Sequence, residues 1–222
     1  MHHPPTRRLF CIALLGCALL VGACTSRQPA ATSERAYLFY FFEEEAGEKA
    51  GLFSAWSTDL AHWHTLTERS FAPQLGEYKV FRDPSVVLDG AGVFHMVWTC
   101  GSTGFGYANS QDGLAWENER FVRVAGPDER YEFANVWAPE IFRHGDTTFV
   151  IWSSTLQSDY VPPKDPAKWW NATWNHRFYY TTTADFTTFA PTEPFWDPGY
   201  NVIDATVHHD GDTFFLFFKD ER

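Results

Sequence analysis

From Ala36 onward, the chain consists of short runs of aromatic and β-branched residues separated by Gly, Asp and Pro. Runs of this length between turn-forming residues predict β-strands, and no segment shows the periodicity of a helix. Four of the runs are alike: "AYLFYFF", "VFHMVWT", "TFVIWSS" and "TFFLFFK". The pattern therefore predicts an all-β domain built from repeated strands.

Two further patterns recur along the chain. One begins with Asp83-Pro84-Ser85-Val86, Ala138-Pro139-Glu140-Ile141 or Asp204-Ala205-Thr206-Val207, and each time a Gly follows seven residues after the first position. The other is a turn with an aromatic residue four positions after an Asp, at Asp59, Asp112 and Asp185. Repeats spaced roughly 50 to 70 residues apart predict the blades of a β-propeller. A β-sandwich is the alternative, but it does not predict the same turn three times.

The repeat brings two carboxylates to matching positions. The first strand of a propeller blade lies nearest the axis, so equivalent residues of these strands converge on one central cleft. Asp83 and Asp204 occupy equivalent positions, and Ala138 stands there in the intervening blade. The alternative is that each Asp only caps a turn before a strand, which is a common use of Asp-Pro.

The N-terminus predicts export and lipidation. Arg7 and Arg8 precede the apolar run Leu9–Ala23, which is shorter than the about 20 residues that a transmembrane helix needs. The run ends in Val21-Gly22-Ala23-Cys24, which resembles a bacterial lipobox, and an ordinary secretory signal is the alternative. We therefore predict a lipoprotein signal peptide and lipobox over 1–24, a polar tether over 25–35 and a partial β-propeller domain over 36–222. Cys24 would carry the lipid and hold the protein at the bacterial cell envelope, facing the periplasm or on the cell surface.

Charge and cysteine content exclude several classes of partner. The chain has 28 acidic and 17 basic residues, for a net charge of −11 at pH 7, and no Lys/Arg-rich run. This balance argues against nucleic acid as a partner and leaves the lipid anchor as the expected membrane contact. Cys100 alone lies outside the predicted signal and lipobox, so no intramolecular disulfide and no cysteine metal site are expected. We predict no cofactor and no metal.

The ordered motifs resemble glycoside hydrolase family 43, whose members are five-bladed β-propellers that remove arabinofuranosyl, xylosyl or related sugars. The resemblance covers 36–222 and rests on Arg82–Val86, Trp137–Ile141, Asn175–Thr183, Val202–Thr206 and Phe218–Glu221. It implies an inverting hydrolase of arabinose- or xylose-containing oligo- or polysaccharides. It also implies that Asp83 is the general base, and that Asp204 orients the acid and adjusts the pKa of the acid.

The resemblance implies a third catalytic group, a Glu in a Glu-Gly-Pro motif on the blade after the one with Asp204. The sequence has no Glu-Gly-Pro. We therefore expect a C-terminally truncated propeller of about three and a half blades, which lacks the acid and is inactive in this form. Glu140 is a candidate substitute for the acid, or a contact for the substrate. A non-catalytic carbohydrate-binding propeller is the alternative function, although paired carboxylates favour an enzyme.

Four further residues are candidate sugar contacts. Trp98 and Trp137 could stack on a sugar ring, with core packing as the alternative. His176 and Arg177 follow the insertion "DYVPPKDPAKWWNATWN", whose tryptophans have no place in the blade pattern. We predict that this insertion forms a wall of the cleft and sets specificity. A self-packed surface loop is the alternative.

Overall fold

The computed structural model describes residues 35–66, 68–76, 79–126 and 129–222, with the backbone alone at 169–170. The predicted signal peptide, the lipobox and nearly all of the tether lie outside the described residues. No helix in the described part of the chain is both long and apolar enough to cross a bilayer.

The described residues form thirteen strands in four antiparallel sheets. The first blade has the strand order β1-β2-β3: β1 Tyr37–Phe41, β2 Phe53–Ser57 and β3 His64–Thr65. The second has the order β4-β5-β6-β7: β4 Arg82–Leu88, β5 Phe94–Thr99, β6 Gly104–Ser110 and β7 Trp116–Arg123. The third has the order β8-β9-β10-β11: β8 Trp137–His144, β9 Thr147–Ser154, β10 Arg177–Thr183 and β11 Glu193–Trp196. The fourth sheet pairs β12 Val202–Asp210 with β13 Thr213–Asp220.

The first strands of successive sheets lie side by side, since β1 contacts β4, β4 contacts β8 and β8 contacts β12. Four sheets that meet in order along their first strands form a β-propeller, so the predicted all-β, incomplete propeller is confirmed. One short helical element interrupts the strands, the 3₁₀ helix Pro166–Asn171 within the insertion.

The hydrophobic core lies between adjacent blades. Between the second and third blades, Phe105 and Tyr107 pack with Trp152 and Tyr179. Smaller clusters join the first blade to the second and the third blade to β12. Because apolar side chains bury surface mainly against the next blade, this packing holds the first strands at a set spacing around the centre.

The predicted Asp turn is formed three times. At Asp112, Ser110 Oγ donates to the carboxylate at 3.0 Å, and the amides of Leu114 and Ala115 donate to the same oxygen at 2.8 Å. The same bonds recur in the turns at Asp59 and Asp185. The amide donors hold the pKa of Asp112 and Asp185 below its usual range. Each Asp thus accepts hydrogen bonds from the backbone of its own turn.

Candidate active site

The first strand of each later blade contains a β-bulge at the same repeat position. Pairing of β4 with β5 shifts between Arg82 and Ser85, and equivalent shifts occur in β8 and β12. In each bulge the first inserted residue has a left-handed backbone: φ is 51° at Asp83, 47° at Ala138 and 55° at Asp204. Left-handed non-glycine residues are uncommon, and they cluster at functional sites. We call these three residues the bulge positions.

Each bulge lies opposite an aromatic side chain. The strand registers place Trp98 across from the bulge in β4, Trp152 across from that in β8 and Phe218 across from that in β12. Trp98 and Trp152 have no exposed surface. Two of the bulges therefore stand opposite buried tryptophan side chains, whereas Phe218, opposite the third, is exposed.

Asp83 is fixed by hydrogen bonds that join two blades. Thr99 Oγ1 donates to Asp83 Oδ2 at 2.8 Å and accepts from the backbone amide of Ala138 at 2.8 Å. One hydroxyl thus connects the carboxylate of the second blade to the bulge position of the third. Bonds of this kind restrict the rotation of a carboxylate, as a general base requires.

Asp204 lies in the electric field of several charged groups. Partial burial of the carboxyl group raises its pKa although the residue as a whole is exposed, and the negative charge of Asp83 raises it further. Lys219 and Arg82 act in the opposite direction, and Glu221 acts in the same direction as Asp83. The charge of Asp83 therefore acts on Asp204, which places the two bulge-position carboxylates near one region.

Glu140 bridges the two neighbouring first strands. Its Oε2 accepts from Ser85 Oγ and its Oε1 accepts from Thr206 Oγ1, both at 2.7 Å. Ser85, Glu140 and Thr206 hold the same repeat position, two residues after the bulge positions. Because both carboxylate oxygens are acceptors, Glu140 directs no O–H toward a leaving group in this arrangement.

An aromatic cluster forms beside the bulge position of the third blade. The Trp137 and Trp174 rings lie 4.8 Å apart between centroids, and Tyr160 lies 4.7 Å from Trp174. Asn175 anchors the end of the insertion, since its amide donates to Thr155 Oγ1 at 3.0 Å. The insertion is thus attached next to Ala138 through its contact with Trp137.

Two of the predicted sugar contacts lie beneath the surface of this region. Trp98 has no exposed surface and packs between Phe71 and Phe81. His176 has none either; its ring stacks on that of Trp174, with 5.2 Å between centroids, and lies tilted 4.9 Å from that of Trp137. A side chain without exposed surface offers no face or polar atom to a ligand, so we place both below the site as supports.

His176 is buried as an unprotonated ring. Neither ring nitrogen has a hydrogen-bond partner in the structure, and burial lowers the pKa to about 4, against the opposing effect of the Glu221 charge. Arg177, the next residue, donates to the backbone carbonyls of His176 and Tyr200 and pairs with Asp197. Arg177 therefore ties β10 to the segment that leads into β12.

Sequence reasoning missed Thr99, Lys219 and the pairing of Glu140 with its two hydroxyl donors. Thr99 and Lys219 occupy the same place, opposite the residue that precedes each bulge. Both end their aromatic runs, as the last letters of "VFHMVWT" and "TFFLFFK" show. A polar residue that ends an otherwise apolar run is the signal that could have identified them.

A family model described as "Probable glycosyl hydrolase domain", of the family 43-related type, matches residues 33–222. The chain belongs to this family. Among curated proteins no relative matches. The match confirms the predicted resemblance for nearly the whole of the described chain.

Solved structures with the same fold include several glycosidases. An exo-1,5-α-L-arabinanase from a bovine ruminal metagenomic library matches with a TM-score of 0.57 and 13% identity, over 83% of this chain and 65% of that chain. A family 32 β-fructofuranosidase of Bombyx mori has a TM-score of 0.56 and 15% identity, over 82% and 38%. An α-L-arabinofuranosidase of Clostridium thermocellum has a TM-score of 0.53 and 11% identity, over 82% and 56%.

These comparisons also show how much of each matched structure this chain covers. This chain of the family 43-related type spans 38 to 65% of the length of the three structures. Identities of this order establish the β-propeller fold alone. Two of these enzymes are named for arabinose and the third for fructose, so the fold by itself does not decide the substrate.

Proposed function

We propose that this domain is an inverting glycoside hydrolase of arabinose- or xylose-containing glycans. The observation that carries the proposal is the placement of Asp83 and Asp204 at equivalent left-handed bulges, with the pKa of Asp204 raised in part by Asp83. Binding a sugar needs no such pair of interacting carboxylates, whereas inverting hydrolysis uses groups of tuned acidity. Membership of a glycosyl hydrolase family supports the same reaction.

In this proposal Asp83 is the general base. Its carboxylate takes a proton from a water molecule, which attacks the anomeric carbon from the face opposite the leaving oxygen. The bond from Thr99 Oγ1 to Asp83 Oδ2 holds one oxygen in place and leaves the other oxygen to the water. Asp204 stands across the cleft and adjusts the acidity of the proton donor. The donor must protonate the leaving oxygen as the glycosidic bond breaks.

We assign the proton donor to none of the described residues. Glu140 accepts through both oxygens, and the family resemblance places the donor on a further blade. We therefore expect these 222 residues alone to leave natural glycosides uncleaved. A substrate whose leaving group departs without protonation removes this requirement, because general acid catalysis contributes about 10²–10⁴-fold only where a proton is needed.

The test uses 2,4-dinitrophenyl α-L-arabinofuranoside and β-xyloside, whose leaving groups are weakly basic phenolates. We expect slow hydrolysis with inversion at the anomeric carbon, followed by NMR. Asp83→Asn should reduce it at least about 100-fold, whereas Asp146→Asn, at an exposed turn residue, should not. Equal turnover by Asp83→Asn and the parent would overturn the assignment of the base.

The second candidate is a carbohydrate-binding propeller without catalysis. The aromatic pair of Trp137 and Trp174 favours it, since such rings bind sugar faces without any chemistry. The same assay separates the two functions. Arabino- or xylo-oligosaccharide binding by calorimetry, with no turnover of either activated substrate, would support this candidate and reject hydrolysis.

We further propose that the domain is attached to the envelope of a bacterial cell by lipid on Cys24. The support is the sequence Val21-Gly22-Ala23-Cys24 after an apolar run. Cys24→Ala, expressed in a bacterial host, should give an unlipidated precursor or a soluble product. Incorporation of a labelled fatty acid by this variant, at the parent's level, would contradict lipidation at Cys24.

A further inference from the structure

We propose that Glu140 is a positioning residue whose carboxylate acts as a strut between β4 and β12, and so sets the separation of Asp83 from Asp204. The inference rests on the proposed function in one respect, namely that these two aspartates are the reacting pair. It replaces the two roles that the sequence suggested for Glu140, proton donor and sugar contact.

The geometry of the bridge supports this role. Glu140 stands on β8, between the two strands that carry the aspartates, and it takes one hydroxyl bond from each at 2.7 Å. Hydrogen bonds to an ionised acceptor are short and roughly twice as strong as neutral ones. Both donors are two residues from their aspartate along the chain. A shift of either strand would therefore move the aspartate on that strand and, at the same time, lengthen the hydrogen bond from that strand to Glu140.

Ser85 extends the bridge into the backbone. Besides donating to Glu140, Ser85 Oγ accepts from the amide of Ile141 at 3.1 Å. Ser85 thus contacts both the Glu140 side chain and the main chain of β8. Glu140 lies two residues along β8 from Ala138, whose amide bonds Thr99. The second and third blades are held by two adjacent links, whereas Thr206 is the hydroxyl link from Glu140 to β12. Loss of that single bond is the sharper test.

Three variants separate positioning from charge and from sugar contact. Thr206→Val removes one hydroxyl and keeps both the shape of the side chain and the charge of Glu140. Glu140→Gln removes the charge but retains an oxygen and a nitrogen that can bond the two hydroxyls. Glu140→Ala removes the bridge entirely. Thr213→Val, at an exposed position of β13, is the matched control.

The first readout is the titration of Asp204 in the full 222-residue chain, followed by carboxyl carbon NMR and assigned with Asp204→Asn. Groups that face Asp204 are Asp83 and Arg82 on β4, and Lys219 and Glu221 at the end of β13. Lys219 and Glu221 belong to the same sheet or its end, so they move with Asp204. If β12 moves away from β4, the electrostatic effect of Asp83 on Asp204 weakens more than that of Arg82. The Asp204 carboxyl group also becomes more hydrated. Both changes lower the pKa of Asp204.

We expect a lower Asp204 pKa in Thr206→Val and Glu140→Ala, and a value near the parent's in Glu140→Gln and Thr213→Val. An equal fall in Glu140→Gln would show a charge effect, and no change in Thr206→Val would show that the bridge positions nothing. Either result overturns the proposal. If Glu140→Ala does not fold, Thr206→Val and Glu140→Gln still decide the matter.

The second readout is hydrolysis of the activated glycoside. A displacement of about 1 Å can cost about 100-fold in rate, so Glu140→Ala, which also removes the bond from Ser85 on the strand of Asp83, should lower kcat about ten- to a hundred-fold with KM little changed. Thr206→Val releases only the strand of Asp204 and should change kcat little, because this substrate needs no proton donor. A raised KM in Glu140→Gln alone would indicate sugar contact and overturn positioning. The titration needs no substrate, so the expected pKa pattern without turnover would reject the proposed hydrolysis and leave the strut in place.

Discussion

Thr99→Val tests the link between the second and third blades most directly. Thr99 is 4% exposed, and its hydroxyl both donates to Asp83 and accepts from the amide of Ala138. Valine keeps the shape and loses the hydroxyl. The amide without a partner costs about 1–3 kcal/mol. Loss of the hydrogen bond to Asp83 costs less free energy than loss of a buried one, because Asp83 is half-exposed and a water molecule can replace the lost hydroxyl donor. We expect about 2–4 kcal/mol less free energy of unfolding.

Thermal unfolding, followed by circular dichroism and tryptophan fluorescence, measures this loss. About 2–4 °C per kcal/mol is usual for a chain of this size, so the midpoint should fall by about 5–15 °C. Cleavage of the activated glycoside should fall as well, because Asp83 gains rotational freedom. Thr213→Val serves as the control, with a change within about 0.5 kcal/mol. If Thr99→Val were as stable as this control, the hydroxyl link would not hold the blades, and the reasoning on Asp83 would fail with it.

Three further changes test the surroundings of the site. Ionised Asp204 is disfavoured in the fold, so Asp204→Asn should be more stable than the parent at pH 7. The difference should disappear below about pH 3, where the carboxyl group is protonated in both the folded and the unfolded state, since the unfolded pKa is about 3.9. Urea unfolding at several pH values measures this, and greater stability of the parent at pH 7 would refute it. Gly106→Ala would drive a methyl group into the Trp98 ring and should cost about 1–3 kcal/mol, whereas Gly90→Ala, with open space around the added carbon, should be neutral. Trp174→Ala should weaken binding of arabino- or xylo-oligosaccharides in calorimetry if the insertion is a wall of the cleft, and unchanged affinity would favour a self-packed loop.

Local patterns predicted the blades well because they depend on neighbours in sequence. The Asp turn uses a carboxylate and amides within three residues, and the repeat at Asp83, Ala138 and Asp204 reflects a bulge within one strand. Features of this kind are encoded by residue type and spacing alone.

Contacts between blades were harder to predict because they join residues far apart in the chain. The sequence shows Glu140 beside its motif, but nothing local indicates that Ser85 and Thr206, 55 and 66 residues away, donate to it. The burial of a polar side chain is equally difficult to predict from the sequence. His176 is polar and follows an insertion, which suggested a surface contact, yet two tryptophan rings cover it. Whether a polar side chain is covered depends on the packing of the whole fold.

Ala138 shows that the left-handed bulge forms even where its residue has no functional side chain. An alanine at φ 47° bears the cost of a left-handed backbone, about 1–2 kcal/mol, without placing any functional group. The bulge is therefore a property of the blade, and two of the three bulge positions use it to present a carboxylate. The third contributes through its backbone instead, since the Ala138 amide donates to the hydroxyl that fixes Asp83. Glu140 follows two residues later with its bond to Thr206. In our proposal the third blade thus supplies no reacting group, and it positions the carboxylates of the two sheets beside it.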